Sequence, residues 1–137
     1  MSYLLDTNVL SETRKRRSSP AVRAWIASAP ADLLHVSVLS LGEIERGISR
    51  IRDRGDTPQA ATLERWLREV EAGFGERIVP VTLRIAEDWG RRRQAQPVPV
   101  IDALIAATAR VHGWTVVTRN AKDFQRAGVQ VINPFAG

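Results

Sequence analysis

The 137-residue chain has no cysteine, one methionine, one tyrosine and only two histidines. Without thiols there is no disulfide, no thiolate nucleophile and no cysteine-bound zinc. His35 and His112 are too few for a histidine-rich metal centre. Long apolar runs are missing as well: the longest uncharged apolar stretch, Leu33 to Gly42, falls well short of the length that spans a bilayer. No basic segment precedes an apolar one near the start, so no secretory signal is legible, and no repeat, linker or low-complexity segment interrupts the chain. The expectation is one domain over residues 1–137, soluble and cytoplasmic, with no membrane partner.

Hydrophobic residues make up 44% of the chain and charged ones 26%, which is the balance of a globular protein. The formal charge is +5, and 18 of the 20 basic residues are arginine. Guanidinium grips phosphate oxygens in a bidentate fork where lysine offers a point charge, so this bias suits a nucleic-acid partner. A compositional preference for arginine explains the same count.

Tyr3-Leu4-Leu5 reads as a buried strand that delivers Asp6 to its carboxyl end, where open α/β sheets bind ligands. Asp6 can equally be a helix cap, because Asp6-Thr7-Asn8 has cap chemistry and a short helix follows at Val9 to Glu12. Arg14-Lys15-Arg16-Arg17 is then a basic loop, either solvated surface or a phosphate contact. A helix from Pro20 to Ala29, with Trp25 inward, leads to a second strand, Leu33 to Val38. Ser40 is placed to cap a helix over 41–52, with Glu43 at the third helical position of a capping box. That helix carries Glu43, Arg46, Gly47 and Arg50 on one polar face.

A helix from Gln59 to Ala72 and a strand over Arg77 to Val81 come next. Thr82 caps a helix to about Ala95 with Leu83, Ala86, Trp89 and Gly90 packed inward. Ile101 to Ala109 is a nearly all-apolar central helix with Asp102 in its first turn, where the helix dipole favours a carboxylate. Trp114 to Thr118 is a strand, Arg119 to Phe124 a turn into a short helix, and Val129 to Ile132 the last strand. The alternation predicts an α/β fold with a mostly parallel sheet of about five strands and helices on both faces. Right-handed crossovers bring Asp6, the helix start with Glu43, the Asp102 turn and the turn from Thr118 to Asp123 to one edge.

Carboxylates gathered at one point without cations repel one another, so either some stay protonated or a cation binds. Oxygen-only donors favour Mg²⁺ or Mn²⁺. An acidic, metal-loaded hole within a basic surface is an arrangement for cutting a phosphodiester.

Four strings and a C-terminal one, Leu4 to Glu12, Ser37 to Gly47, Ile101 to Ala109, Val117 to Phe124 and Val131 to Pro134, together resemble PIN-domain proteins of the VapC type, close to their FitB-like branch. The resemblance runs through nearly the whole chain in the same order. It implies a PIN-like fold and a Mg²⁺- or Mn²⁺-dependent endoribonuclease, the toxin of a type II toxin–antitoxin pair. Asp6 and Asp102 would then be the principal metal ligands, with Glu43 completing the acidic triad directly or through water. The family often has a fourth acid just after the Thr-Arg pair. Here that position is Asn120, a neutral oxygen donor, and Asp123 follows three residues on as the other candidate ligand. Asn8 and Thr118 would orient carboxylates or water from behind.

The implied reaction is in-line attack of a metal-activated water on phosphorus, leaving 5′-phosphate and 3′-hydroxyl ends. Arg14, Lys15, Arg16, Arg17, Arg46 and Arg50 are candidate RNA contacts. The implied partners are an RNA substrate, a small VapB-like antitoxin that binds DNA, and a second copy in a homodimer or in a hetero-oligomer with the antitoxin. A haloacid-dehalogenase-type phosphatase is disfavoured because it needs a second Asp where this chain has Asn8. A binding module that keeps the fold and the acids without turnover is the alternative.

Overall fold

The computed structural model describes residues 1–93 and 97–136. Twelve elements follow in the order β1 (Tyr3–Leu5), α1 (Thr7–Glu12), α2 (Pro20–Ser28), β2 (Leu34–Ser37), α3 (Val38–Asp53), α4 (Thr57–Phe74), β3 (Ile78–Val79), α5 (Leu83–Arg91), α6 (Val100–His112), β4 (Thr115–Val117), α7 (Ala121–Arg126) and β5 (Val131–Ile132). The strands form one sheet in the order β3-β2-β1-β4-β5, and every pairing is parallel. β1 is central: Leu4 lies beside His35 of β2 and Val116 of β4.

Alternation along the strands explains why both faces are covered. Leu4 and Val116 point into a core with Ile105, Ala106 and Ala109 of α6 and Phe124 of α7. Their neighbours Leu5 and Val117 point the other way, into a core with Val36, Val9 and Leu10 of α1 and Val22 of α2. Ala106, Ala107 and Ala109 of α6 are fully buried, which lets this helix sit close against the sheet. Trp25 is partly buried and meets Tyr3 edge-on at 5.1 Å. No helix among the described residues is long and apolar enough to cross a membrane.

Two local expectations change. Helix α3 starts directly off β2 at Val38, three residues before the expected 41, because the Ser37 hydroxyl accepts the Leu39 N–H at 3.0 Å and caps it. Ser40 lies inside the helix, so Glu43 has no place in a capping box there. On α5 the buried residue is Ile85, while Leu83, Ala86, Trp89 and Gly90 are exposed. The phase is set by Thr82, which caps Ile85 N–H, and by Asp88, which bonds the Arg110 guanidinium of α6 at 2.6 and 2.9 Å. The helix ends at Arg91, and the expected end at Ala95 lies outside the described residues. The remaining elements differ from expectation by a few residues at their ends, as with β3, which pairs only through Ile78 and Val79.

Candidate active site

Asp6 stands at the carboxyl end of the central strand and is 3% exposed. Its backbone N–H extends the β1–β4 ladder by donating to Val117 O at 2.9 Å. Both carboxylate oxygens accept hydrogen bonds. Oδ1 takes the Thr7 N–H at 2.8 Å, which makes Asp6 the N-cap of α1; Oδ2 takes the Thr118 hydroxyl at 2.8 Å and the Asn8 amide at 3.3 Å. Capping and site placement therefore coexist in one side chain. Burial raises the Asp6 pKa above the usual carboxylate range, the bonds from Thr118 and Thr7 oppose that rise, and the charge of Glu43 adds to it.

Glu43 comes from α3, one turn in from its start. Its Oε1 accepts the Thr7 hydroxyl at 2.5 Å, so the residue that donates backbone N–H to Asp6 also positions the second acid. Asp102 comes from the first turn of α6 and is half-buried. Its pKa is pushed up to about 6, first by burial and then by the charges of Asp6, Glu43 and Asp123. The charges of the three acids thus meet in one place.

Asp6, Glu43, Asp102 and Asn120 line one open cleft of about 570 Å³, together with Thr7, Asn8, Pro99, Val100 and Ile101. Among the described residues no three acidic or histidine side chains close on a single point as a complete metal-ligand cage. Closed zinc sites draw on nitrogen and sulfur donors, whereas Mg²⁺ is held by one or two carboxylates and keeps several waters. The side chains that line the cleft offer oxygen donors, and no Lys or Arg stands among its described lining residues.

The remaining predicted residues separate into groups. Asn120 lines the acidic cleft and donates its backbone N–H to Thr118 Oγ1 at 2.9 Å. Asp123 lies in a neighbouring cleft and approaches Arg126 at 3.9 Å, close enough to raise the Asp102 pKa but outside the acidic wall. Asn8 donates to Asp6 and Thr118 and accepts the Arg119 N–H at 3.2 Å, so Asn8 and Thr118 together brace Asp6. Arg14 shares a small groove with Thr7, Glu43 and Trp66. Lys15 is paired with the buried Glu12 at 3.1 Å, while Arg16, Arg17, Arg46 and Arg50 are exposed.

Sequence reasoning assigned no role to Thr7, because its link to Glu43 depends on α3 packing across α1. The one available signal was its position between two site residues. Arg119, whose guanidinium lies over the Phe135 ring at 3.8 Å, likewise carries no signal in the sequence, because Phe135 meets it only in the fold.

The PIN domain family matches residues 3–130. The VapC ribonuclease Y4jK of Sinorhizobium fredii is 29% identical over 137 residues, covering 96% of each chain. The crystal structure of FitAcB from Neisseria gonorrhoeae superposes with a TM-score of 0.88 at 29% identity, covering 97% of this chain and 98% of that one. A toxin–antitoxin complex from Klebsiella pneumoniae gives a TM-score of 0.71 at 28% identity, covering 97% of this chain and 98% of the matched chain.

Proposed function

The chain belongs to the PIN-domain family, and from that premise we propose that it is an endoribonuclease of the VapC type, the toxin of a type II toxin–antitoxin pair, dependent on Mg²⁺ or Mn²⁺ and formed as one domain over residues 1–137. The observation that carries the reading is the convergence of Asp6, Glu43 and Asp102, from three separate segments, on one cleft with no Lys or Arg among its described lining residues. Structural caps alone give no reason for that convergence. Only Asp6 caps with its side chain, and Glu43 is held instead by a hydroxyl from another helix.

Asp6 and Asp102 would hold the ion, with Glu43 completing the set directly or through water and Asn120 or Asp123 supplying the fourth donor. Asn120 is the better placed of the two, since it lines the same cleft as Asp6. A bound divalent ion supplies counter-charge to the phosphate and lowers the pKa of a water. The chain's own part is positional. Thr118 and Asn8 keep Asp6 in one orientation, Thr7 keeps Glu43 in another, and the basic residues Arg14 to Arg17, Arg46 and Arg50 draw the RNA backbone toward an otherwise repulsive acidic cleft. Cleavage breaks the P–O3′ bond as water oxygen bonds to phosphorus, leaving 5′-phosphate and 3′-hydroxyl ends.

The partners that follow are single-stranded or looped RNA, a small DNA-binding antitoxin and a second copy of the chain. Support for the antitoxin comes from the resemblance to a toxin–antitoxin complex over nearly the whole chain. The test is cleavage of RNA by purified, partner-free protein. Cleavage should require Mg²⁺ or Mn²⁺, stop with EDTA, and vanish in Asp6→Asn and Asp102→Asn while both variants remain folded. Folded variants that cut like the parent would overturn the site. Protein that binds RNA in every form and never cuts it would make this a binding module.

A further inference from the structure

Beside the acidic cleft is a second one of about 370 Å³, lined by Arg119, Lys122, Asp123 and Asn133. Asn120 lines both and forms the partition between them. We infer that this second cleft is the subsite for a backbone phosphate of the RNA strand next to the scissile one, with Arg119 and Lys122 as its cations. The inference rests on the ribonuclease reading and extends it to a part of the substrate that the acidic residues cannot hold.

Three features point to an anion in this place. The first is fixed position: Arg119 N–H donates to Asn8 Oδ1 at 3.2 Å, and the Asn8 amide donates to Asp6 Oδ2 at 3.3 Å, so the cleft is two hydrogen bonds from the central carboxylate. The second is the presentation of Arg119. Its guanidinium carbon lies over the Phe135 ring at 3.8 Å, and a guanidinium held by an aromatic ring, which takes none of its N–H groups as a conventional acceptor would, still has donors for a phosphate. Glu12 also feels the Arg119 charge, but Glu12 is buried and already bonded to Ser19 N–H at 2.8 Å and to Lys15 at 3.1 Å. The third is charge balance. Asp123 is the acid of this wall, and Arg126 approaches it at 3.9 Å, which leaves Arg119 and Lys122 in excess.

The need for such a subsite is electrostatic. A polyanion crossing the acidic cleft is repelled by three carboxylates wherever the metal does not shield it, so cations must hold it on either side. On the Glu43 side the neighbouring groove carries Arg14; on the Asn120 side this cleft carries Arg119 and Lys122. The amides of Asn120 and Asn133 can donate to phosphate or to a 2′-hydroxyl, which suits a single RNA strand.

The test compares the parent with Arg119→Gln/Lys122→Gln and with Arg119→Lys. In an Asp6→Asn background, binding of a labelled single-stranded oligoribonucleotide is titrated at several salt concentrations. In the active background, KM and kcat are measured on the same oligonucleotide. The double variant should lower the slope of log Kd against log salt by about 0.7, the value for one single-strand phosphate released. It should raise KM about tenfold, as for a lost charge-assisted contact, with the loss carried by KM. Arg119→Lys should restore most of the slope. An unchanged slope and KM in active enzyme overturn the subsite alone, as does a loss confined to kcat. Absence of RNA cleavage by the metal-loaded parent overturns the ribonuclease reading, and the subsite falls with it.

Discussion

Thr118 Oγ1, just past the end of β4, donates a 2.8 Å hydrogen bond to Asp6 Oδ2 at the end of β1, and both residues are buried. The bond joins the ends of two neighbouring strands behind the acidic cleft that Asp6 lines. Thr118 also accepts the Asn120 N–H at 2.9 Å, so one hydroxyl sets both the central carboxylate and the turn that carries Asn120.

Replacing Thr118 by Val keeps the shape and removes the donor. The hydroxyl opposes the burial that raises the Asp6 pKa, so its loss moves that pKa further up. The acid limb of the pH–rate profile of Thr118→Val should lie at higher pH than the parent's, with cleavage about tenfold lower on that limb, whereas Thr118→Ser should stay near the parent. The pH–rate profile is the measurement. An acid limb in the same place for the parent and Thr118→Val would remove Thr118 from this role.

Much of this arrangement was legible in the sequence, and what was not has a common cause. The order of strands and helices followed from apolar runs and caps, and the crossover rule put Asp6, Glu43 and Asp102 at one edge. Those signals are local or topological. The start of α3, the phase of α5 and the role of Thr7 depend on partners distant in the chain. Asp88 turns inward because Arg110 is there, and Thr7 meets Glu43 because α1 lies against α3. Ser37 and Ser40 are equally good caps on paper, and the pairing of Ser37 with Val79 across β2 and β3 keeps the strand extended up to Ser37.

That last choice can be tested by stability. Ser37 caps α3 through its hydroxyl, while Ser40 Oγ is buried and has no hydrogen-bond partner among the described residues. Ser37→Ala should cost about 1 kcal/mol, as for a lost N-cap. Ser40→Ala should be neutral or slightly stabilising, since it removes a buried hydroxyl that gains nothing. Chemical denaturation of the two variants decides it: a larger cost at Ser40 would put the helix start where the capping box predicts it.

Thr7 offers a separate test of the site, because its side chain bonds Glu43 while its backbone bonds Asp6. Thr7→Val removes the first bond and leaves the second. Stability should fall by about 1 kcal/mol or less, since Glu43 is only partly buried and water can replace the hydroxyl. Activity should fall by about tenfold if Glu43 must be held in place to act. Equal activity in Thr7→Val and the parent, with Glu43→Gln inactive, would show that Glu43 finds its position without Thr7.

The acidic cleft makes the ion-free protein sensitive to pH in a direction opposite to that of a salt-bridged carboxylate. An ordinary Asp titrates near 3.8, and Asp102 in the folded chain titrates at about 6. Between those values the folded chain holds a proton that the unfolded chain has released, so this group's contribution falls as pH rises through the window and is fully lost above it. Without metal, the parent should therefore lose thermal stability relative to Asp102→Asn between about pH 4 and pH 6.5, on the order of 1 kcal/mol for a half-buried group. Divalent ions reverse the sign, because they bind the ionised form. Added Mg²⁺ should raise the parent's Tm more at about pH 7.5 than at pH 5, and should do little for Asp102→Asn. Paired melting curves across pH, with and without Mg²⁺, measure both effects. A parent that keeps pace with Asp102→Asn across the acid range, or an equal Mg²⁺ shift in both proteins, would mean that Asp102 neither repels its neighbours nor holds the ion.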